Sequence, residues 1–219
     1  MFFSVEKLVT DFGYLPIFVF IFIETALLVG FFLPGDSLLI AAGLYSALGQ
    51  LNLGLVIIIA SIAAVTGDTV AYYIGKKGGR KLFKRKESIF FSPDHLKRAE
   101  TFFEKHGPVT VLIARPIAFL RTFAPVVAGM GNMHYRKFLA YNIVGGVIWV
   151  VAFTMFGWVV ATYLSNVIDK STLLHVIDYI ISGIAIFSLS AVICVGVYKR
   201  ITQGRSKGLG FLKKKLEKE

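Results

Sequence analysis

Residues 108–131 read PVTVLIARPIAFLRTFAPVVAGMG, and this stretch decides how the chain folds. It is apolar enough to lie in a membrane, yet it contains Arg115 and Arg121 and is interrupted by Pro116 and Pro125. Non-helical backbone at membrane depth is tolerated only where it is buried in protein or lines a water-filled cavity. The stretch therefore predicts a broken, re-entrant hairpin whose two arginines face the protein interior.

The rest of the composition is that of a membrane protein. The chain is 56% hydrophobic with a mean hydropathy of +0.71, well above the average for soluble proteins. Its net charge of +11 comes from lysines and arginines clustered beside apolar regions. Such clusters mark cytoplasmic loops, so membrane topology explains the charge and no nucleic-acid partner is predicted.

Five apolar regions are recognised by length: 13–48, 51–74, 108–131, 138–164 and 173–198. The second, fourth and fifth are long enough to span a bilayer. The basic pairs that begin at Lys76, Arg136 and Lys199 place their flanks on the cytoplasmic side. The third region leaves that side after His106 and must return to it by Arg136, which a hairpin can do and a single crossing cannot.

The first apolar region is interrupted by Pro34, Gly35 and Asp36. We expect a hairpin that turns there, with Asp36 or Ser37 capping its second arm. The alternative is a single crossing by residues 14–33, after which residues 37–48 are too short to cross back.

The two halves then form the same unit twice, each a broken hairpin followed by a spanning helix. In this interpretation Ala42-Gly43 and Ala128-Gly129 close the hairpins, and Pro34, Gly35, Gly43, Pro125, Gly129 and Asn142 serve hairpin formation and helix packing. The predicted fold is an all-α polytopic membrane protein, with two opposed re-entrant helical hairpins and about three transmembrane helices in an inverted-repeat architecture.

The predicted domain organisation follows from these regions. Residues 1–12 are an N-terminal interfacial segment and residues 13–164 the membrane domain. Within it, 13–75 is the first unit, 76–106 a cytoplasmic linker and 107–164 the second unit. Residues 173–198 are a C-terminal transmembrane helix, and 199–219 a basic cytoplasmic tail. In the linker, Ser92 and Pro93 begin an amphipathic helix that either lies on the inner leaflet or packs as a plain connector.

Ionisable side chains inside the apolar stretches mark the candidate site: Glu24, Asp36, Asp68, Arg115 and Arg121. A charge at membrane depth costs about 2.5–3.5 kcal/mol on insertion scales, so these groups must pair or reach water. We expect Glu24 or Asp36 to lie within ion-pair distance of Arg115 or Arg121. Asp68 is likewise predicted to couple protons or to form an ion pair, and the alternative for it is a water-exposed or structural acid near Lys76.

Several motifs resemble the DedA family of bacterial inner-membrane proteins, which is related to VTT-domain (SNARE-associated Golgi) proteins. The matching residues are Glu24, FLPGDSLL at 32–39, Ala42-Gly43, Gly67-Asp68, YIG at 73–75, KHG at 105–107, Arg115, RTFAP at 121–125, VAGMG at 127–131, Asn142, Gly145 and Trp149. The chain departs from the family pattern at Pro116 and Ala118, although the spacing of the arginines is kept.

The resemblance implies a protein that depends on the proton gradient and handles lipids. Family members have been assigned transport of undecaprenyl phosphate or redistribution of phospholipids. The resemblance makes Glu24, Asp36, Arg115 and Arg121 the functional residues. Arginine suits a phosphate head group because its planar fork donates two parallel hydrogen bonds, so Arg115 and Arg121 together could clamp one phosphate. A buried carboxylate can exchange a proton, which makes Glu24 and Asp36 candidate proton-coupling groups or resting partners of the arginines.

The sequence thus predicts a proton-linked transporter or flippase for a phosphate-bearing lipid, most simply undecaprenyl phosphate or an anionic phospholipid. It would be a multi-pass protein of the bacterial inner membrane with a cytoplasmic C-terminus, and a homo-oligomer is an open possibility. The alternatives are a proton-coupled antiporter for small cations or drugs and a non-transporting scaffold. No enzyme activity, cofactor or metal is predicted, because nucleophile, phosphate-loop and metal-ligand motifs are lacking.

Overall fold

A computed structural model describes residues 13–27, 35–78, 107–113, 115, 118–131 and 133–167, with single residues at 101, 105, 169, 172, 179 and 183. Every regular element in these ranges is helical, which confirms the all-α class. The predictions for the N-terminal segment, Pro34, the linker helix beginning at Ser92, the C-terminal transmembrane helix and the basic tail lie outside the described residues.

The helices follow one another in two groups. The elements are α1 (Leu15–Ala26), α2 (Gly35–Ala47), α3 (Leu53–Gly78), a 3₁₀ turn (Gly107–Val109), α4 (Thr110–Ile113), α5 (Ala118–Met130) and α6 (Tyr135–Leu164). Pro16 occupies the first turn of α1, where its missing N–H would have had no helical partner. Gly49 adopts a φ of 79° in the turn between α2 and α3, a conformation that favours glycine.

Helices α3 and α6 are long and apolar enough to cross a membrane. They have 26 and 30 residues, or about 39 and 45 Å at 1.5 Å per residue, against a hydrocarbon core of about 30 Å. These two helices coincide with the predicted spans 51–74 and 138–164 in position, length and composition. Helix α3 continues through Lys76 and Lys77, past the predicted boundary at residue 75.

The other helices of the membrane domain are short. Helices α1, α2 and α5 have 12, 13 and 13 residues, about 18–20 Å each, so none could span the core alone. Helix α1 ends at Ala26, and Leu27 is extended with φ −111° and ψ 132°. Helix α1 therefore does not continue past Ala26, and the choice between a hairpin and a single crossing by residues 14–33 stays a prediction.

Pro125 lies inside α5 and does not break it, contrary to the sequence-based prediction. Proline is tolerated within membrane helices because neighbouring groups can satisfy the freed backbone carbonyl. The interruption falls earlier, between α4 and α5, at the segment that contains Arg115.

Gly43 and Gly129 do not close hairpins; both lie within helices, at points where two helices cross. A Cβ atom on Gly43 would overlap the carbonyl oxygen of Thr154 on α6, and one on Gly129 would overlap that of Tyr72 on α3. Small residues at such crossings let two backbones approach closely, which is the principal way that helices associate in lipid. The sequence motif was correctly singled out, but its role is in packing and not in a turn.

The two crossings use equivalent positions in the two units. In the first, α2 packs on α6, and in the second, α5 packs on α3. In the first crossing, Gly43 faces the carbonyl of Thr154 and Gly157 faces that of Ile40. In the second, Gly129 faces the carbonyl of Tyr72 and Gly75 faces that of Val126. The second helix of each unit therefore packs on the long helix of the other unit, which supports an internal repeat. The opposite orientation of the two units stays a prediction.

Candidate functional site

Arg121 on α5 joins the two halves of the chain through ion pairs with two acids. Its Nη2 donates to Oε1 of Glu24 at 2.6 Å, and its Nη1 donates to Oδ1 of Asp36 at 2.6 Å. Glu24 lies in the last turn of α1 and Asp36 in the first turn of α2. The expected contact between the acids of the first half and an arginine of the second is confirmed.

Arg115, in the break between α4 and α5, has a separate set of partners. Its Nη2 donates to Oδ2 of Asp68 at 2.5 Å and to Oδ1 of Asn142 at 2.6 Å. Asp68 is only 6% exposed, so a water-exposed acid near Lys76 is wrong, whereas the ion pair with Arg115 agrees with a structural acid. Asp68 faces the inside of the helix bundle, where the desolvated guanidinium supplies its counter-charge.

Asn142 does more than the helix packing predicted for it. Its Oδ1 accepts from Arg115, while its Nδ2 donates to the backbone carbonyl of Val65 on α3 at 3.2 Å. An amide that accepts on one side and donates on the other has its orientation determined by these partners. Asn142 is fully buried and links α6, α3 and the broken segment around Arg115.

Trp149, named above only as one of the residues that match the family motifs, belongs to the site. Its Nε1 donates to Oδ1 of Asp36 at 2.8 Å. The guanidinium carbon of Arg121 lies 5.0 Å from the centre of its ring, and that of Arg115 lies 5.9 Å away. A buried indole usually finds an acceptor for its N–H, which is the signal that could have pointed to a polar partner.

Gly35, predicted to serve the hairpin turn, is the first residue of α2 and makes room for Glu24. A Cβ atom at this position would collide with the Glu24 carboxylate. Gly35 therefore positions the acid that pairs with Arg121, in addition to any role in the turn.

A small cavity lies within the network, bordered by residues that include Glu24, Asp68, Arg115, Arg121 and Pro125. Its volume of about 20 Å³ is enough for roughly one water molecule. A phosphate group does not fit into this closed arrangement. To bind an arginine, it would have to displace a carboxylate.

Comparison with known proteins identifies the family. The VTT domain matches residues 33–159, more than half of the chain. The protein DedA of Escherichia coli K12 is 44% identical over 161 residues, covering 71% of this chain and 74% of the relative. The chain belongs to the DedA family of VTT-domain membrane proteins.

Other relatives of this DedA-family chain are also membrane proteins. The inner membrane protein YqjA of Escherichia coli K12 is 34% identical over 145 residues, which is 66% of each chain. An uncharacterized membrane protein of Mycobacterium tuberculosis H37Rv is 42% identical over 144 residues, 65% of this chain and 63% of the relative. No solved structure matches the chain at a significant level. Together with the apolar helices α3 and α6, these relatives make the chain a membrane protein.

Proposed function

We propose that this protein is a proton-linked transporter that moves a phosphate-bearing lipid, undecaprenyl phosphate or a phospholipid, across the bacterial inner membrane. The observation that carries the proposal is the double ion pair of Arg121 with Glu24 and Asp36. We place the protein in the membrane as a multi-pass protein with its basic C-terminus in the cytoplasm.

The chemistry of Arg121 suits a phosphate head group. Its two terminal nitrogens each donate to a different carboxylate oxygen at 2.6 Å. Two oxygens of one phosphate could replace those acceptors, because the guanidinium fork matches phosphate as well as carboxylate. Binding would then be an exchange of one anion for another, without creating an unpaired charge in the membrane.

Access favours Arg121 over Arg115 as the ligand-binding arginine. The side chain of Asp36 is 37% exposed, so one partner of Arg121 borders the surface. The side chains of Arg115 and Asp68 are each only 8% exposed. The Nη2 atom of Arg115 that donates to Asp68 also donates to Asn142. We therefore assign Arg121 to the phosphate and Arg115 to holding the broken segment in place, which refines the two-arginine clamp predicted from the sequence.

The charge balance of the network supports proton coupling. Glu24, Asp36 and Asp68 carry three negative charges when ionised, against two positive charges on Arg115 and Arg121. An incoming phosphate would add further negative charge at a site where unpaired charge is costly. Uptake of a proton by Glu24 or Asp36 would release Arg121 and offset that charge, tying proton uptake to lipid binding.

The arrangement of the helices supports a transport function. Short helices α1, α2 and α5 meet at the charge network, while α3 and α6 are long enough to span. Transporters built from inverted repeats place their sites where such interrupted helices meet near the midplane. We propose that the first and second hairpins are re-entrant from opposite sides of the membrane.

Reconstitution in liposomes tests the function. Purified protein would be assayed for movement of labelled undecaprenyl phosphate and of a labelled phospholipid, with and without a proton gradient. We expect gradient-stimulated transport of one of them, with the lipid recovered chemically unchanged. Arg121→Lys should lower the rate at least about tenfold, because an ammonium cannot donate in two parallel directions.

Arg136→Lys is the matched control, since Arg136 is exposed at the start of α6 and lies outside the network. Wild-type transport in Arg121→Lys would reject the phosphate-binding role of Arg121. Transport of neither lipid by wild-type protein would reject the proposed function and leave the antiporter and the scaffold as candidates.

An antiporter for small cations or drugs is the second candidate, and the excess of one acid in the network favours it. In that case the acids would bind the substrate. The same liposomes, loaded with a pH-sensitive dye, would release protons on addition of K⁺ or a cationic drug, and Arg121→Lys would keep that exchange.

A further inference from the structure

We propose that Trp149 is a positioning residue that holds Asp36 on Arg121, and so sets how easily a phosphate group displaces that carboxylate. The inference rests on the proposed function, since it concerns ligand exchange at Arg121. It assigns separate roles to the indole N–H and to the face of the indole ring.

The indole N–H and Arg121 converge on one oxygen atom. Oδ1 of Asp36 accepts from Nε1 of Trp149 at 2.8 Å and from Nη1 of Arg121 at 2.6 Å. Trp149 is 5% exposed, whereas the Asp36 side chain is 37% exposed. A buried, rigid donor on the long helix α6 thus anchors the most exposed acid of the network, which is the group that competes with phosphate.

The ring face of Trp149 has a different partner. The guanidinium carbon of Arg121 lies 5.0 Å from the ring centre, within the range of a cation–π interaction. This contact does not involve Asp36, so it persists when the carboxylate leaves. The ring would then keep the guanidinium fork oriented while the phosphate binds.

These two contacts predict different effects for two substitutions. Trp149→Phe keeps an aromatic face but removes the N–H, so Asp36 loses one of its donors and competes less well. The apparent affinity for a phosphate-bearing lipid should rise about three- to tenfold, less than for a fully buried charge, because the Asp36 side chain is 37% exposed and water can replace part of the lost donor. Trp149→Leu also removes the aromatic face, so the affinity of this variant for the phosphate-bearing lipid should fall below that of Trp149→Phe.

Binding can be followed with farnesyl phosphate and with inorganic phosphate, added to the full-length protein in detergent. The first probe represents a lipid head group and the second a free anion. Trp158→Phe is the matched control, because it makes the same change on the same helix, and the chain has no tryptophan besides these two. It should leave both affinities unchanged. Binding of farnesyl phosphate with no binding of inorganic phosphate would identify the lipid as the ligand source.

The competing outcomes are distinct. Affinity in Trp149→Phe that is equal to or weaker than wild type, in a protein with unchanged thermal stability, would overturn the inference. If wild-type protein binds neither probe, the proposed function fails. The contact between Trp149 and Asp36 is then tested by fluorescence in the ligand-free protein. In a Trp158→Phe background, Asp36→Asn should shift the emission maximum of Trp149, since its N–H loses a charged acceptor. An unchanged emission spectrum would overturn the inference on its own.

Discussion

At the scale of single residues, the two arginines differ in what surrounds them. Arg121 contacts two carboxylates, and one of them, that of Asp36, is partly exposed. Arg115 contacts one carboxylate and one amide, all of them buried. Removing one partner of a buried pair leaves an uncompensated charge, which costs far more than the pair itself contributes. Substitutions around Arg115 should therefore affect stability first, and those around Arg121 should affect transport first.

Asp68→Asn tests the structural role of the Arg115 pair. The change keeps the shape of the side chain but leaves Arg115 without a counter-charge, so we expect a loss of about 3–5 kcal/mol in stability. Thermal unfolding in detergent measures it. The double variant Asp68→Asn/Arg115→Met removes both charges and should recover most of the loss. Equal unfolding temperatures for wild type and Asp68→Asn would contradict the assignment.

Glu24→Gln tests whether the partner of Arg121 carries a proton. Glutamine keeps an oxygen acceptor for Arg121 and fits beside Gly35, but it cannot titrate. We expect a folded variant that still binds lipid, with transport that no longer responds to a proton gradient. Liposome transport at several pH gradients is the measurement. Normal gradient-driven transport in this variant would exclude Glu24 as the proton carrier, and Glu24→Ala, which loses the acceptor, should also weaken folding.

At the scale of helices, the architecture depends on two close crossings. Helix α2 meets α6 at Gly43 and Gly157, and helix α5 meets α3 at Gly129 and Gly75. Without a hydrophobic driving force between helices in lipid, such close contacts carry much of the association. They also position the site, because α2 carries Asp36 and α5 carries Arg121.

Gly43→Ala and Gly129→Ala should destabilise the protein to a similar extent. In each, the added methyl group overlaps a backbone carbonyl of the facing helix, and the backbone cannot move aside as a flexible side chain would. Overpacking of this kind costs about 1–3 kcal/mol. Gly54→Ala in the exposed first turn of α3 is the control and should cost much less, because its Cβ would meet only the side-chain Oδ1 of Asn52, at 3.3 Å. A large loss for one crossing and none for the other would argue against equivalent units.

At the scale of the whole molecule, the two units interlock because the second helix of each packs on the long helix of the other. This arrangement brings the acids of the first unit to the arginines of the second, across sequence separations of 85 and 97 residues for the two Arg121 contacts. A relative movement of the units would separate these charges. Protonation of the acids or binding of an anion to Arg121 would therefore affect how easily the units move apart.

The proposed topology can be tested with single cysteines in a Cys194→Ser background. Lys105→Cys and Lys137→Cys lie on either side of the third apolar region and should both be protected from an impermeant thiol reagent in intact cells. Ser171→Cys should react from outside. Labelling of the Lys105 and Lys137 positions from opposite sides would show that the region spans, and the inverted repeat would then be wrong.

The sequence by itself predicted the two long apolar helices and the ionisable residues of the charge network. Spanning depends on the summed hydropathy of consecutive residues, so α3 and α6 could be predicted from composition and length. The cost of charge in lipid required the acids and arginines to meet, and Arg121 does contact Glu24 and Asp36.

Only the tertiary structure decided which groups pair and what the small residues do. It assigned Asp68 to Arg115, brought Asn142 and Trp149 into the network, and moved Gly43 and Gly129 from turns to helix crossings. The physical reason is that hydropathy adds up locally along the chain. Hydrogen-bond partners and close backbone contacts depend instead on which faces of distant helices meet, and no local pattern specifies that.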